Sequence, residues 1–163
     1  MILRFRHLLE RHALAPDMLR TGTVVDATLI AAPSSTKNAV SQRDSEMQQT
    51  KKGNHCYLGM KAYIGVDAQS CLVHTVAGTV ASVNDLNMAG ELPHGDEEAA
   101  FGDAGYQGVH KRPVAQGPTW HGAMRRGLRR KLYPVIEIDF VAERVEKMKA
   151  GIRAKVEHPF RVL

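Results

Sequence analysis

The stretch Tyr57-Leu58-Gly59-Met60-Lys61-Ala62-Tyr63-Ile64-Gly65-Val66 decides the fold. Leu58, Met60, Ala62, Ile64 and Val66 alternate with Tyr57, Gly59, Lys61, Tyr63 and Gly65, the period of two that marks a half-buried strand. Asp67-Ala68-Gln69-Ser70 follows as a turn, and residues 71–80 read as the returning strand. A turn centred near Ala68 and Gln69 pairs Cys71 with about Val66 and leaves Cys56 opposite about Ala81. The two cysteines are therefore expected to be free thiols.

Upstream, residues 23–30 (Thr23-Val-Val-Asp26-Ala-Thr-Leu-Ile30) are β-branched and apolar enough for a buried strand, yet a carboxylate sits in the middle. Downstream, residues 84–92 read as a short helix ended by Pro93 and Gly95. Ala99-Ala100-Phe101-Gly102-Asp103 is a short apolar strand that stops on an acid, and Gly105-Tyr106-Gln107-Gly108 continues it as a loop. Residues 120–124 are expected to add a strand. Residues 139–158 give the longest helical pattern, with Val141, Val145, Met148, Ile152 and Val156 as its apolar stripe. At the start of the chain, Ile2, Leu3, Phe5, Leu8 and Leu9 suggest an amphipathic helix over residues 1–13, closed by Pro16. Between these elements, residues 31–54 are polar and without clear period, and are expected to form a mobile loop. Strands and helices in this order argue for an α/β mixed sheet with helices packed on it.

The composition fits an ordinary globular chain. Of 163 residues, 44% are apolar and 24% charged, and no run approaches the about 18–20 apolar residues of a membrane helix. Two cysteines make no disulfide framework, and the arginine-broken start is unlike a secretory signal, so a cytoplasmic home is expected. The net charge of +5 is unevenly spread: residues 61–110 hold one Lys/Arg against seven Asp/Glu, whereas residues 111–163 hold thirteen against five. An acidic middle beside a basic third suits a polyanion partner if a cation sits among the acids.

Three acids stand out. Asp26 lies within an apolar strand, where an isolated carboxylate costs several kcal/mol unless paired or metal-bound. Asp103 ends a strand, facing the kind of crevice in which sheet ligands bind. Glu157 follows Val156 at the border of the apolar stripe, four residues after Arg153. Each also has an ordinary reading: a backbone-bonded strand acid, a turn former and a helix ion pair. Asp67 and Asp85 are explained by a turn and a helix start. Cys71 and His74 have a metal-like spacing, but strand residues three apart face opposite sides, so no zinc site is expected. His158 is expected to line a groove, and Tyr106 either stacks on a base or packs locally.

Several ordered blocks carry a resemblance. They are Gly22-Thr-Val-Val-Asp26-Ala-Thr, Ala-Pro33-Ser-Ser-Thr-Lys-Asn38, Arg43-Asp-Ser-Glu-Met47, Thr50-Lys-Lys-Gly-Asn54, Gly59-Met-Lys-Ala-Tyr-Ile-Gly-Val-Asp67, Asp103-Ala-Gly-Tyr-Gln-Gly108 and Ile152-Arg-Ala-Lys-Val-Glu157-His-Pro-Phe160-Arg. From about Leu3 onward the chain resembles the DDE transposases of bacterial insertion sequences, in particular the group typified by insertion sequence five.

The resemblance implies a ribonuclease-H-like core, a mixed five-stranded sheet flanked by helices. It implies Asp26, Asp103 and Glu157 as catalytic acids and ligands of Mg²⁺ or Mn²⁺, two ions in all. It implies DNA, both transposon ends and target, as partner, with strand cleavage and transfer as the reaction. Arg153 falls on the family's arginine before the glutamate, whereas its tyrosine position falls on Ala150. Arg125, Arg126, Arg129, Arg130, Lys131 and Arg153 are the expected phosphate contacts, joined by Lys51 and Lys52. Residues 1–20 are read as the remnant of an N-terminal helical region, and residues 21–163 as a catalytic domain lacking its C-terminal end, with impaired activity. The alternatives are a non-catalytic DNA-binding remnant that inhibits an intact transposase and a stand-alone nuclease of the same fold; a homo-oligomer or association with full-length transposase is the expected assembly.

Overall fold

The computed structural model describes residues 2–4, 21–32, 47–52 and 54–157. Its seven strands are β1 (Ile2–Arg4), β2 (Thr23–Ala31), β3 (Gln48–Lys52), β4 (His55–Asp67), β5 (Val73–Val80), β6 (Ala99–Gly102) and β7 (Thr119–Gly122). Six run in the order β1-β5-β4-β2-β6-β7, and β3 pairs with β4 outside that order. The helices are α1 (Asp85–Met88), α2 (Arg126–Arg129) and α3 (Glu137–Arg153), with short 3₁₀ turns at Ala104–Tyr106, Val109–Lys111, Pro113–Ala115 and Ala154–Val156. The sheet is mixed, since β2–β6 and β6–β7 are parallel and the other pairings antiparallel. It is the α/β architecture of a ribonuclease-H-like domain, with more strands than the five expected. No helix among the described residues is long and apolar enough to cross a membrane.

The alternating strand is the centre of the sheet. β4 pairs with β2 from Thr23↔Asp67 to Ala31↔Gly59 and with β5 from Met60↔Val80 to Val66↔Val73. Its pleat feeds two cores. Ile64 and Val66 join Val24 and Val156 on one face, with Ile152 and Phe101 beside them. On the other face, Tyr63 joins Val25, Ala77, Leu92, Tyr106 and Val109.

Four expectations need correction. Residues 2–4 form a strand, not part of a helix: Ile2↔Ala77 and Arg4↔Thr75 place β1 on the outer edge of β5. The remainder of the expected helix, residues 5–13, and Pro16 lie outside the described residues, as do Arg43 and His158. Within the expected loop, residues 48–52 form β3, a polar strand paired with the first part of β4, while residues 33–46 lie outside the description. The hairpin register is also shifted, by two residues at Val66 and three beyond it. A bulge between Gly65 and Val66 leaves His74 without a register partner, so Val66 meets Val73. Cys71 sits in the turn with φ +62°, and Cys56 faces Lys51, not Ala81. Both thiols are free.

The long helix starts at Glu137 and packs on a different face. Of the expected apolar stripe, Ile152 and Val156 reach the core, whereas Val141, Val145 and Met148 are exposed. The inward position is taken by Glu146, buried to 5% exposure, which accepts from the Met124 N–H at 2.8 Å and from Lys149 at 2.9 Å. Burial pushes the Glu146 carboxyl up, but these two donors outweigh it and hold the group below the usual range. A satisfied carboxylate thus turns the helix about one residue away from its apolar stripe.

Candidate active site

β2 brings Asp26 to the site. Val24 and Val25 are buried on opposite faces, and the alternation sends Asp26 to the side of Val24 and α3. Asp26 is half-buried, and its Oδ1 accepts from the Ala27 N–H at 2.8 Å.

β6 brings Asp103. Asp103 follows β6, whose parallel register with β2 holds Thr23↔Ala100 and Val24↔Phe101, and it lines the same cavity as Asp26. The ladder itself stops at Val24↔Phe101. From Val25 to Ala31 the β6-side edge of β2 has no strand partner among the described residues. A crevice of this kind, beyond the carboxyl end of a strand, is where sheet ligands bind. Asp103 caps the 3₁₀ turn Ala104–Tyr106, its Oδ1 accepting from the Gly105 N–H at 2.7 Å.

A third aspartate faces the same place. A Cβ on Gly105 would lie 2.9 Å from Oδ1 of Asp103 and 3.1 Å from Oδ2 of Asp85, so the two carboxylates close over a residue with no side chain. Asp85 opens α1; its Oδ1 accepts from Lys61 Nζ at 2.8 Å and from the Tyr63 hydroxyl at 3.2 Å. Lys61 also donates to the Val83 carbonyl at 2.9 Å. Asp26, Asp85, Asp103, Lys51, Lys61 and Tyr106 surround one cavity of about 200 Å³. Lys61 is thus a cation among the acids, the feature that the charge distribution requires. Sequence reasoning had explained Asp85 as a helix start and had left Lys61 as one more strand residue.

Glu157 lies elsewhere. It is exposed, at the end of the 3₁₀ turn after α3, and with Arg153 it borders a second hollow of about 180 Å³. Asp26 forms part of the wall of both hollows. Among the described residues no three acids, histidines or cysteines gather closely enough to hold one metal ion. The expected triad is therefore drawn towards Asp26 from two sides, without meeting at one point.

Tyr106 packs locally, which resolves its two readings in part. It is 1% exposed and stacks on Trp120, with centroids 5.9 Å apart and planes 9° from parallel. A Cβ on Gly102 would lie 2.8 Å from the Tyr106 ring, so only glycine admits it. The hydroxyl, however, has no hydrogen-bond partner among the described residues. Burial first, then the charges of Asp85, Asp26 and Asp103, push its pKa far above the usual tyrosine value, so it remains a donor.

The expected phosphate contacts divide. Arg125, Arg126, Arg130 and Lys131 are exposed around α2, while Arg129 is committed to Glu143 through two bonds of 2.8 and 2.9 Å. Lys51 belongs to the acid cavity; the side chain of Lys52 lies outside the description.

The opposite end of β2 holds a polar network that the sequence did not reveal. Thr23 donates to Glu97 Oε1 at 2.6 Å, so its oxygen must accept from His74 Nε2 at 3.0 Å. His74 Nδ1 is then the acceptor for the Thr75 hydroxyl at 2.9 Å. Glu97 also accepts from the backbone N–H groups of His94 and Gly95 at 2.6 and 2.7 Å. Both nitrogens of His74 are engaged, and Cys71 sits in the turn rather than on the strand. Burial, then His94, pulls the His74 pKa down to about 4.

Comparison with known proteins adds the family. The model for the transposase DDE domain matches residues 17–163. No solved structure matches the chain. With a mixed sheet flanked by helices and nine-tenths of its length matched, the chain belongs to the transposase DDE domain family.

Proposed function

We propose that this domain cuts DNA at the ends of a mobile element and joins the freed 3′-hydroxyl to target DNA, as a transposase of the bacterial insertion-sequence-five type. The observation that carries the reading is that Asp26 and Asp103 line one cavity, beyond the point where β6 stops, together with two lysines. Their carboxylate oxygens are the donors that Mg²⁺ and Mn²⁺ prefer. If such an ion binds, Asp26 and Asp103 would hold it from the cavity side, and Glu157 is the further acid that would contribute from the hollow it borders with Asp26. Such ions, when bound, activate the attacking oxygen and steady the leaving one.

The chain's own groups do the rest. Lys61, fixed by Asp85 and the Val83 carbonyl, and Lys51 offset the acids so that a phosphate can enter. Arg125, Arg126, Arg130 and Lys131 hold backbone phosphates away from the reacting bond, so affinity falls steeply with salt. Arg129 instead fastens α2 to α3. Arg153, beside Glu157, faces the strand that enters the second hollow.

The test is cleavage of a labelled transposon-end duplex with Mn²⁺. Metal-dependent cutting that disappears in Asp26→Ala supports the reading; cutting that survives the substitution rejects it. A second reading, a non-catalytic DNA-binding remnant, is favoured by the lack of a converged three-acid group among the described residues. It predicts duplex binding without cutting by the parent protein, and inhibition when the chain is added to an intact transposase.

A further inference from the structure

The side of α3 turned away from Glu146 carries an apolar row that faces solvent. Ile138, Val141, Val145 and Met148 are 78%, 53%, 43% and 69% exposed. Their spacing of three, four and three residues stacks them along one side of the helix. Ile136, at the cap of the helix and 53% exposed, extends the row and lines one open hollow of about 480 Å³ with Ile138 and Val141. The helix reaches the core elsewhere, through Ile152 and, beyond its end, Val156. Single apolar side chains are common on protein surfaces, but five in one row are not. Together they expose on the order of 500 Å², near the upper end of the largest apolar patch on a typical monomer.

Spacing and charge together select the occupant. Apolar residues alternately three and four apart form the seam by which one helix packs along another of the same kind. α3 is also electrically polar: its first turn holds Glu137 and Asp139, whereas Lys147, Lys149 and Arg153 lie in its last two turns. A parallel neighbour of the same kind sets like charge beside like. An antiparallel one sets acids beside bases and opposes the two helix dipoles. The partner that meets both the apolar row and the two charged ends is α3 of a second copy, running the opposite way.

We propose that the chain self-associates through this face, as a two-fold dimer in which α3 lies antiparallel to α3 of the second copy. The axis passes between Val141 and Val145, so that Ile138 of each copy lies by Met148 of the other. The charged flanks of the row supply the remainder of the about 800 Å² that a standard interface takes from each partner. None of the residues around the acid cavity lies on this face, so the inference stands apart from the reading of that cavity.

The experiment is analytical ultracentrifugation of the full chain over about 1–100 µM, with Ile138→Glu, Val145→Glu, Met148→Lys and Leu128→Ser beside the parent. The parent is expected to pass from monomer to dimer within that range. Val145→Glu at the centre, and Ile138→Glu and Met148→Lys at the ends, are each expected to weaken association about tenfold or more, with the helical circular dichroism retained. The end positions are the more exposed, so they carry the test should Val145→Glu fail to fold. Leu128→Ser, at a 54% exposed apolar position on α2, is expected to leave the dimer unchanged. An equimolar mixture of Ile138→Glu and Met148→Lys reads the orientation. Antiparallel pairing brings the introduced carboxylate beside the introduced ammonium, so the mixture is expected to dimerise about tenfold more tightly than either variant alone. A parent that stays monomeric at about 100 µM, a dimer that survives Val145→Glu and Ile138→Glu, or a mixture no tighter than its components overturns the proposal.

Discussion

Thr23 and Asp26 lie three residues apart on β2, yet they belong to opposite kinds of polar site. Around Thr23 every donor has an acceptor: the hydroxyl reaches Glu97, His74 uses both ring nitrogens, and Glu97 collects two backbone N–H groups. Around Asp26 the arrangement opens onto a cavity, lined by three aspartates, two lysines and a tyrosine whose hydroxyl has no partner among the described residues. A closed network in a low-dielectric interior stabilises and rigidifies, and it has nothing left to offer a ligand. An open one costs stability and keeps its bonding capacity for something that arrives later. The contrast separates scaffold from chemistry on a single strand.

Substitutions can break that contrast. The largest effect is expected at the open end: Asp103→Ala lowers Mn²⁺-dependent strand cutting by about a thousandfold or more while the thermal midpoint changes little. A strong fall in midpoint with unchanged cutting reverses the assignment. At the closed end Glu97→Ala strands the Thr23 hydroxyl and the N–H groups of His94 and Gly95, and is expected to cost about 3 kcal/mol or more in denaturant unfolding. Mn²⁺ affinity is the control, and it stays at the parent value.

His74 gives the contrast a pH axis. Its folded pKa of about 4 lies below the unfolded 6.5, so the unfolded chain binds the extra proton. The stability this group contributes is fully present above pH 6.5 and is lost as pH falls towards 4, by about 3 kcal/mol in all. Unfolding free energies of the parent and His74→Gln, measured from pH 7 to pH 4, should converge on acidification; parallel curves contradict the assignment. The smallest effect is Tyr63→Phe, which removes the bond to Asp85 and is expected to cost about 1 kcal/mol, read from the denaturation midpoint.

The central strand was legible because its two faces differ chemically. Asp26 and Asp103 were legible for a related reason: Asp26 interrupts β-branched residues and Asp103 ends an apolar run. β3 was not, because Gln48-Gln49-Thr50-Lys51-Lys52 is polar throughout and no period reveals which side faces the protein. The face of α3 was misread because apolar spacing outweighed one glutamate, although Glu146 finds its donors only across the fold, from Met124. Lys61 and Asp85 are separated by 24 positions, and their pairing depends on how β4 and the start of α1 come together. The unpaired state of the Tyr106 hydroxyl is a property of three-dimensional packing alone.

The stretch of β2 from Val25 to Ala31, which has no strand partner on its β6 side among the described residues, has a consequence for the integrity of the protein in solution. A strand edge with free ladder positions invites a strand from another molecule, and proteins commonly guard such edges with charge. Asp26 stands on that stretch, so its negative charge also discourages chain-to-chain sheet extension. Removing it for a mechanistic experiment exposes an apolar run from Val24 to Ile30 broken only by Thr28, and self-association should be checked by light scattering before any loss of activity is ascribed to chemistry.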